Sequence, residues 1–270
     1  MNSLRCHFLY LILVFHFFSG HAQSAQISGI INHYAAVTAI DTCDGRLTVS
    51  DTAGFKPGAT VLLIQMQGAE ISSANNFLYG IIQNMNYAGR FERSVIDSVG
   101  GNTIFLQKRP VYTYDISGKL QVVSLPRYTD VTVTDTLRCM PWNGATGGVL
   151  ALEAPGTLTM SAPVIADGAG FRGGAAYVAP TNNCNFLFPE TAFFYAFGNW
   201  RGSFKGEGVA LPITGKEFGR GPQANGGGGG NDHNSGGGGG GNATDGGNGG
   251  NNDEPSTLGC DGYYPGVRGY

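Results

Sequence analysis

Five of the carboxylates in the second half of the chain are candidates for a catalytic pair, which is what a glycoside hydrolase needs. They are Glu153, Asp167, Glu190, Glu207 and Glu217. Such an enzyme holds two carboxyl groups roughly 5–10 Å apart in a groove. One hypothesis is therefore a polysaccharide-processing enzyme, a glycoside hydrolase or lyase, that uses Asp167, Glu207 or Glu217. The interpretation we favour is that these are solvated loop and strand-end residues, and we assign no catalytic residue.

Histidine is too scarce to support nucleophilic catalysis. Only His33 and His233 lie outside the first 22 residues, and His233 stands in a glycine block. Neither position offers the rigid support that a Ser-His-Asp or Cys-His arrangement requires. No metalloprotease, nucleophile-elbow or phosphate-loop motif occurs. The net charge of −3 argues against nucleic acid as a partner.

Oxygen-bearing side chains in the glycine-rich C-terminal part could bind Ca²⁺. The candidate ligands are Asp232, Asp245, Asn251 and Asp253. The segment 246–251 resembles one imperfect copy of a nine-residue calcium repeat, and such sites need stacked copies. We therefore expect no cofactor, with Ca²⁺ as the alternative.

The densest aromatic stretch of the chain covers residues 186–200. Exposed flat rings on a rigid surface bind sugars or partner proteins, whereas rings that pack inward would close the end of a solenoid. Inward packing is the favoured alternative. The candidate binding residues are Phe193, Phe194, Tyr195, Phe197 and Trp200.

Four cysteines follow the first 22 residues, and an even number in an exported protein predicts disulfides. We favour pairing Cys43 with Cys139 and Cys184 with Cys260, because each pair would then cross-link one region of distinct composition. Other connectivities and reduced thiols remain open. The spacings are too wide for paired zinc ligands.

The elements that must position these residues are short strands. Residues 37–126 alternate between apolar and polar residues in runs cut by Gly, Pro, Asn and Asp, which predicts a small β-barrel or sandwich. A hairpin is expected where residues 94–99 and 103–106 flank Gly100-Gly101-Asn102. Residues 127–220 contain strands of four or five residues with tight connections. That texture predicts β-solenoid-like rungs or a second sandwich sheet.

Residues 221–270 are dominated by Gly and Asn, and the chain contains 45 glycines in all. A flexible linker is one interpretation. The other is a set of extended, threefold polyglycine helices that pack side by side because no Cβ intervenes. Ordering glycine costs about 1–2 kcal/mol per residue for the backbone, so only dense bonding between the helices could stabilise such a bundle.

The N-terminus predicts export. Residues 1–22 combine Arg5, an apolar run over residues 8–18 and small residues before Gln23, as in a cleavable signal peptide. The run is too short to span a bilayer. Residues 23–36 would form a lead-in, and the mature protein would be secreted or lie on the outer cell surface.

Two resemblances accompany these patterns. The segments 54–58, 61–64 and 101–106 resemble a small β-barrel module of bacterial surface proteins and phage tail proteins. The segments 142–153, 166–174, 205–208 and 219–226 are similar to large glycine-rich exported surface proteins of Bacteroidota, many of which look like type IX secretion cargo or gliding-associated adhesins. This second resemblance implies that the chain is the N-terminal region of a longer protein, present here as a fragment or a truncated reading frame.

Together these features predict an all-β, non-catalytic structural or adhesion module. Its expected partners are polysaccharide, a surface or an extracellular protein, with no membrane span after signal cleavage. The alternatives are the polysaccharide-processing enzyme on a β-solenoid and a fragment without independent function.

Overall fold

The structure is a computed structural model of the 270-residue chain, and it describes residues 25–178, 191–231, 235–242, 244–250 and 266–270. The fold is all-β, as predicted, with one short 3₁₀ turn at Ile116–Gly118. The strands are β1 (Ala25–Ile30), β2 (Tyr34–Asp41), β3 (Arg46–Val49), β4 (Thr60–Gln65), β5 (Glu70–Ile71), β6 (Ile82–Asn84), β7 (Phe91–Gly100), β8 (Thr103–Leu106), β9 (Leu120–Ser124), β10 (Val131–Arg138), β11 (Leu158–Met160) and β12 (Val164–Ile165).

Of the two predicted alternatives, a barrel and a sandwich, the structure shows the barrel, and it is closed. Its strand order is β2-β3-β8-β7-β4-β9, and every neighbouring pair is antiparallel. Alternate residues of β4, such as Val61 and Leu63, point into a core that Leu47 and Ile104 also fill. The predicted hairpin forms between β7 and β8. Closure leaves no open sheet edge, which is why this architecture suits short strands.

A parallel stack lies beside the barrel. β10 pairs in parallel with β1 on one side and with β11 and β12 on the other. Ala25, Val131 and Leu158 are aligned at one end, and Ile30, Arg138 and Ile165 are aligned at the other. This parallel pairing is typical of solenoid rungs and unlike a sandwich sheet. The barrel is thus inserted between the first and second rungs.

Within its described residues, the glycine-rich region is ordered into extended segments that bond to one another every three residues. The Gly236 and Gly239 amides donate to the carbonyls of Gly250 and Gly247, at 3.0 and 2.7 Å. A third segment repeats this spacing, because the Gly266 and Gly269 amides donate to the Gly236 and Gly239 carbonyls at 2.7 and 2.9 Å. A period of three residues, with bonds only between segments, is that of packed polyglycine helices.

Glycine is required where these helices touch. A Cβ added to Gly246 or Gly249 would overlap the carbonyl oxygen of Gly239 or Gly236, respectively, on the neighbouring helix. On the outer side of the same helix, nothing lies within 4 Å of a Cβ added to Gly247 or Gly250. The packing therefore requires glycine at every third position of this helix, Gly246 and Gly249, and does not require it at Gly247 and Gly250.

Hydrogen bonds join the segment that leads into the glycine-rich region to the chain that follows β4 of the barrel. The Gln67 side-chain amide donates to the Gly208 carbonyl at 2.7 Å, and the Gly68 amide donates to the Val209 carbonyl at 2.8 Å. Beside these bonds, Ile71 packs with Ala210 and Ala224 in a small buried cluster. The two parts consequently share one interface built from backbone and apolar contacts.

The predicted Cys43–Cys139 disulfide is not formed, because both residues are free thiols. Cys43 is exposed in the β2–β3 turn, where its amide bonds to the Asp41 carboxylate at 3.0 Å. Cys139 is buried at the end of β10, in the parallel stack. The two thiols thus belong to different substructures. Cys184, Cys260 and the predicted signal peptide lie outside the described residues. In the part of the chain that the structure describes, no helix has the length and apolar character that a membrane span requires.

Candidate functional site

The loop between β5 and β6 forms one wall of the candidate site. Its ends are tied together, since the Gly80 amide donates to the Ser72 carbonyl at 2.9 Å. Gly80 has φ +88°, and a Cβ there would meet the Pro222 carbonyl oxygen at 2.5 Å. The end of the loop at Gly80 therefore lies directly against the start of the glycine-rich region. Tyr79 is only 1% exposed, whereas Phe77 is 75% exposed.

The aromatic segment predicted from sequence packs on this loop. Phe193 stacks on Tyr79 with ring centres 6.5 Å apart, and Phe194 lies 5.6 Å from the same ring. The Phe193 amide donates to the Asn75 side chain at 2.6 Å. Burial, reinforced by the charge of Glu217, raises the pKa of Tyr79 to about 12.

A buried lysine lies against the ring of Tyr79. The Lys205 ammonium is 4.6 Å from the centre of the Tyr79 ring. It donates to the carbonyls of Phe193, Gly219 and Gly221 at 2.7, 3.1 and 2.5 Å. Burial lowers the pKa of Lys205 well below its usual range. This side chain links the aromatic segment to the first turns of the glycine-rich region.

The rest of the aromatic segment forms a second cluster. Phe197 is 68% exposed, yet one face packs on Phe204 and Phe218 at 5.7 and 5.4 Å. Tyr195 pairs with Phe218 through two backbone bonds of 2.9 and 3.1 Å. Trp200 lies under the guanidinium of the adjacent Arg201 at 4.8 Å. The five predicted residues thus do not form one exposed row of rings, because the segment packs partly inward.

A groove opens between the loop and the glycine bundle. Its volume is about 250 Å³. Residues from five separate places along the chain line it: Phe77, Phe193, Arg220, Asn248, and the group Gly266, Val267 and Tyr270. Tyr270 is 41% exposed, so the groove carries accessible aromatic surface at both Phe77 and Tyr270. Of the predicted aromatic residues, the groove includes Phe193.

The structure gives Glu207 a structural role. Its carboxylate accepts hydrogen bonds from the Arg172 guanidinium, at 2.5 and 3.0 Å, and from the Trp142 indole, at 3.0 Å. Burial is the largest single influence and opposes ionisation, but these bonds together outweigh it and lower the pKa of Glu207. A general acid of a glycosidase needs the opposite shift.

The other candidate carboxylates are dispersed. The Glu217 carboxylate accepts hydrogen bonds from the backbone amides of Gly215 and Phe197, at 2.9 and 3.2 Å. Burial again opposes ionisation of Glu217, but its backbone hydrogen bonds outweigh that effect and lower its pKa. Asp167 is exposed in a turn after β12. Glu153 forms an ion pair with Arg93 at 2.7 Å.

Glu190, His233 and three of the proposed calcium ligands, Asp232, Asn251 and Asp253, lie outside the described residues. The fourth ligand, Asp245, is paired with Arg268 at 3.2 Å. No group of three or more potential metal-ligating side chains occurs in the part of the chain that the structure describes. The calcium hypothesis therefore gains no support from the geometry.

Sequence reasoning missed most of the groove. No role was predicted for the groove residues Phe77, Arg220 and Tyr270, or for the buried Tyr79 in the same loop as Phe77. One signal was present, because the run Phe77-Leu78-Tyr79 is apolar in a loop rich in Ser, Asn and Gly. Arg220 and Tyr270 carry no local pattern that marks them.

Comparison with known proteins adds little. The sequence matches no protein-family profile and no curated protein. Part of the fold is similar to a solved structure, the Gp54 tailspike of Acinetobacter baumannii bacteriophage AP22 in complex with A. baumannii capsular saccharide, with a TM-score of 0.27 and 15% identity. The similarity covers 41% of this chain and 17% of the tailspike chain. A likeness of this size assigns neither family nor function.

Proposed function

We propose that this chain is a non-catalytic adhesion module of an exported surface protein, and that the groove beside loop 72–81 binds saccharide. The observation that carries the proposal is the convergence of Phe77, Phe193 and Tyr270 on one cavity of about 250 Å³. Aromatic rings offer flat apolar faces to the C–H face of a sugar ring, and Arg220 and Asn248 add polar groups for its hydroxyls.

The walls of the groove are held in place before any ligand binds. The Phe193 amide bonds to Asn75 at 2.6 Å, and the Val267 amide bonds to the Arg220 carbonyl at 2.8 Å. Pre-organised walls reduce the entropy lost on binding. The groove is smaller than the roughly 300–1,000 Å³ of typical enclosed ligand pockets. We therefore expect weak single contacts that become strong only along a polymer with many copies of the same unit.

Export and the surface location are supported by the sequence alone. The leader-like residues 1–22 and the similarity of residues 142–226 to glycine-rich surface proteins of Bacteroidota favour them. Type IX secretion is the route that this resemblance suggests. Fractionation of cells that express the chain tests the location, and a product that stays in the cytoplasm with residues 1–22 intact would contradict it.

Retention of the purified chain on immobilised polysaccharides tests the binding function. Phe77→Ala should weaken binding about tenfold, in line with the loss of a central aromatic contact. Phe91→Ala is the matched control, because Phe91 is also exposed, at 61%, but lies at the start of β7 and does not line the groove. If no polysaccharide is retained, or if both variants weaken binding equally, the proposal is wrong.

A further inference from the structure

Two exposed tyrosines lie together at one end of the barrel. Tyr87 is in the turn between β6 and β7, and Tyr112 is in the loop between β8 and β9. The Arg90 guanidinium lies 4.3 Å from the centre of the Tyr87 ring and 5.3 Å from the centre of the Tyr112 ring. We call these three residues the tyrosine platform. None of them lines the groove beside loop 72–81.

The backbone of Tyr87 has a conformation that favours glycine. Asn86 and Tyr87 have φ values of +41° and +72°, and the Ala88 amide donates to the Met85 carbonyl at 2.8 Å. This is the pattern of a type I′ turn, in which asparagine suits the first central position and glycine the second. A bulky residue with such a φ is strained. The chain thus keeps a large ring where the backbone alone would favour glycine.

A buried glutamine holds the two halves of the tyrosine platform together. The Gln65 side chain is fully buried. Its NH₂ group donates to the Asn86 carbonyl at 3.1 Å, and its oxygen accepts the Asp115 amide at 2.8 Å. The Arg90 guanidinium also donates to the Thr113 carbonyl at 3.3 Å. The turn and the loop are therefore fixed before a ligand binds, which reduces the entropy lost on binding.

We propose that the tyrosine platform is a second saccharide-binding surface of this chain. A phenol ring offers a flat apolar face to a sugar ring, and its hydroxyl can donate to and accept from sugar hydroxyls. Two weak sites on one chain bind a polymer more tightly than either site alone. This inference rests on the proposed saccharide binding and adds a site to it.

The rival ligand for exposed tyrosines is a proline-rich peptide. Such a peptide docks into a groove lined by aromatic rings. In this chain the guanidinium of Arg90 already lies over both rings, so the platform is better suited to stacking of a flat ring on its outer surface. Oligoproline is therefore included in the test as the competing probe.

Amide chemical shifts distinguish the two sites. The isotope-labelled full chain is titrated with dextran, xylan, galactomannan and polygalacturonate, and separately with oligoproline. The amides of Ala88 and Thr113 report on the tyrosine platform, and those of Leu78 and Val267 report on the groove. We expect a polysaccharide that binds the chain to shift both pairs of amides.

Tyr87→Gly should weaken retention on that polysaccharide about tenfold and remove the shifts at the platform, while the shifts at the groove remain. Because glycine suits the backbone at this position, the variant should fold, and near-ultraviolet circular dichroism and the melting temperature verify this. Tyr112→Ala should have the same effect on binding. Asn86→Gly is the matched control, since it places glycine in the same turn but keeps both rings, and it should leave both pairs of shifts unchanged.

The outcomes separate this inference from the proposed function. Shifts confined to Leu78 and Val267 would overturn the inference and leave the proposed function standing. Shifts confined to Ala88 and Thr113 would support the inference and show that the groove is not the binding site. If no polysaccharide shifts either pair, both proposals are wrong. Platform shifts with oligoproline alone, or equal loss of binding in Asn86→Gly and Tyr87→Gly, would also overturn the inference.

Discussion

The packing of the glycine helices can be tested with two double variants of identical composition. Gly246→Ala/Gly249→Ala places methyl groups against the neighbouring helix, where each would overlap a carbonyl oxygen. Gly247→Ala/Gly250→Ala places them on the same helix, one residue further on, where nothing lies within 4 Å. The two proteins have the same amino-acid content and nearly the same sequence, so unfolded-state effects cancel between them.

The structure sets the size of the effect. Methyl groups at the inner positions would separate the helix 244–250 from the helix 235–242, which are joined by the bonds Gly236 to Gly250 and Gly239 to Gly247. Two hydrogen bonds at about 0.5–1.5 kcal/mol each, and overpacking of about 1–3 kcal/mol, give a destabilisation of roughly 2–6 kcal/mol. At the outer positions alanine restricts only the unfolded chain, which stabilises the protein by about 0.4–1 kcal/mol per site.

Urea unfolding and amide hydrogen exchange measure the two consequences. The inner variant should unfold at lower urea, and the amides of Gly236, Gly239 and Gly249 should exchange faster than in the unmodified chain. The outer variant should unfold at the same urea concentration as the unmodified chain or at a higher one, and its amides should exchange no faster. If the two variants lose the same stability, or if residues 235–250 exchange rapidly in the unmodified chain, the helices are not packed as described.

Two further predictions concern the groups beneath the groove. Lys205→Met should destabilise the fold by about 3 kcal/mol, because three buried carbonyls lose their donor; Lys216→Met, which loses one such bond, is the control in the same thermal-unfolding assay. A Lys205→Met protein as stable as Lys216→Met would refute this role. Since burial raises the pKa of Tyr79 to about 12, the folded state keeps the phenol proton that the unfolded state releases near pH 10. Stability should therefore fall between pH 10 and 12, by up to about 1.4 kcal/mol per pH unit from this group, and Tyr79→Phe should remove that part of the fall in urea titrations at each pH.

The barrel is the part of the fold that local sequence predicts best. In β4 and β8 every second residue is buried, and the turn Gly100-Gly101-Asn102 lies where the hairpin was expected. Alternation and turn residues act over a few positions, so a single sequence displays them. The pairing of β1 with β10 has no such signal, because the partners Ala25 and Val131 are separated by the whole barrel.

The candidate site was the least predictable part. The aromatic segment was recognised, yet the structure turns several of its rings inward onto Tyr79 and Phe218. The predicted Cys43–Cys139 pair relied on composition, and the two thiols belong to different substructures. Glu207, a candidate acid by residue type, is an ionised partner of Arg172. In each example the neighbours of the side chain, rather than its type, determine its chemistry.

The sequence by itself determined the all-β class, a barrel or sandwich over residues 37–126 and the presence of a glycine block able to form threefold helices. Only the tertiary structure decided that this block is ordered, because a polyglycine helix has no hydrogen bonds of its own and gains every bond from a neighbour. The same holds for the groove, where Phe77, Phe193 and Tyr270 meet although they are far apart along the chain. Contacts of that range depend on the packing of the barrel, the loop and the bundle together, and no local pattern encodes them.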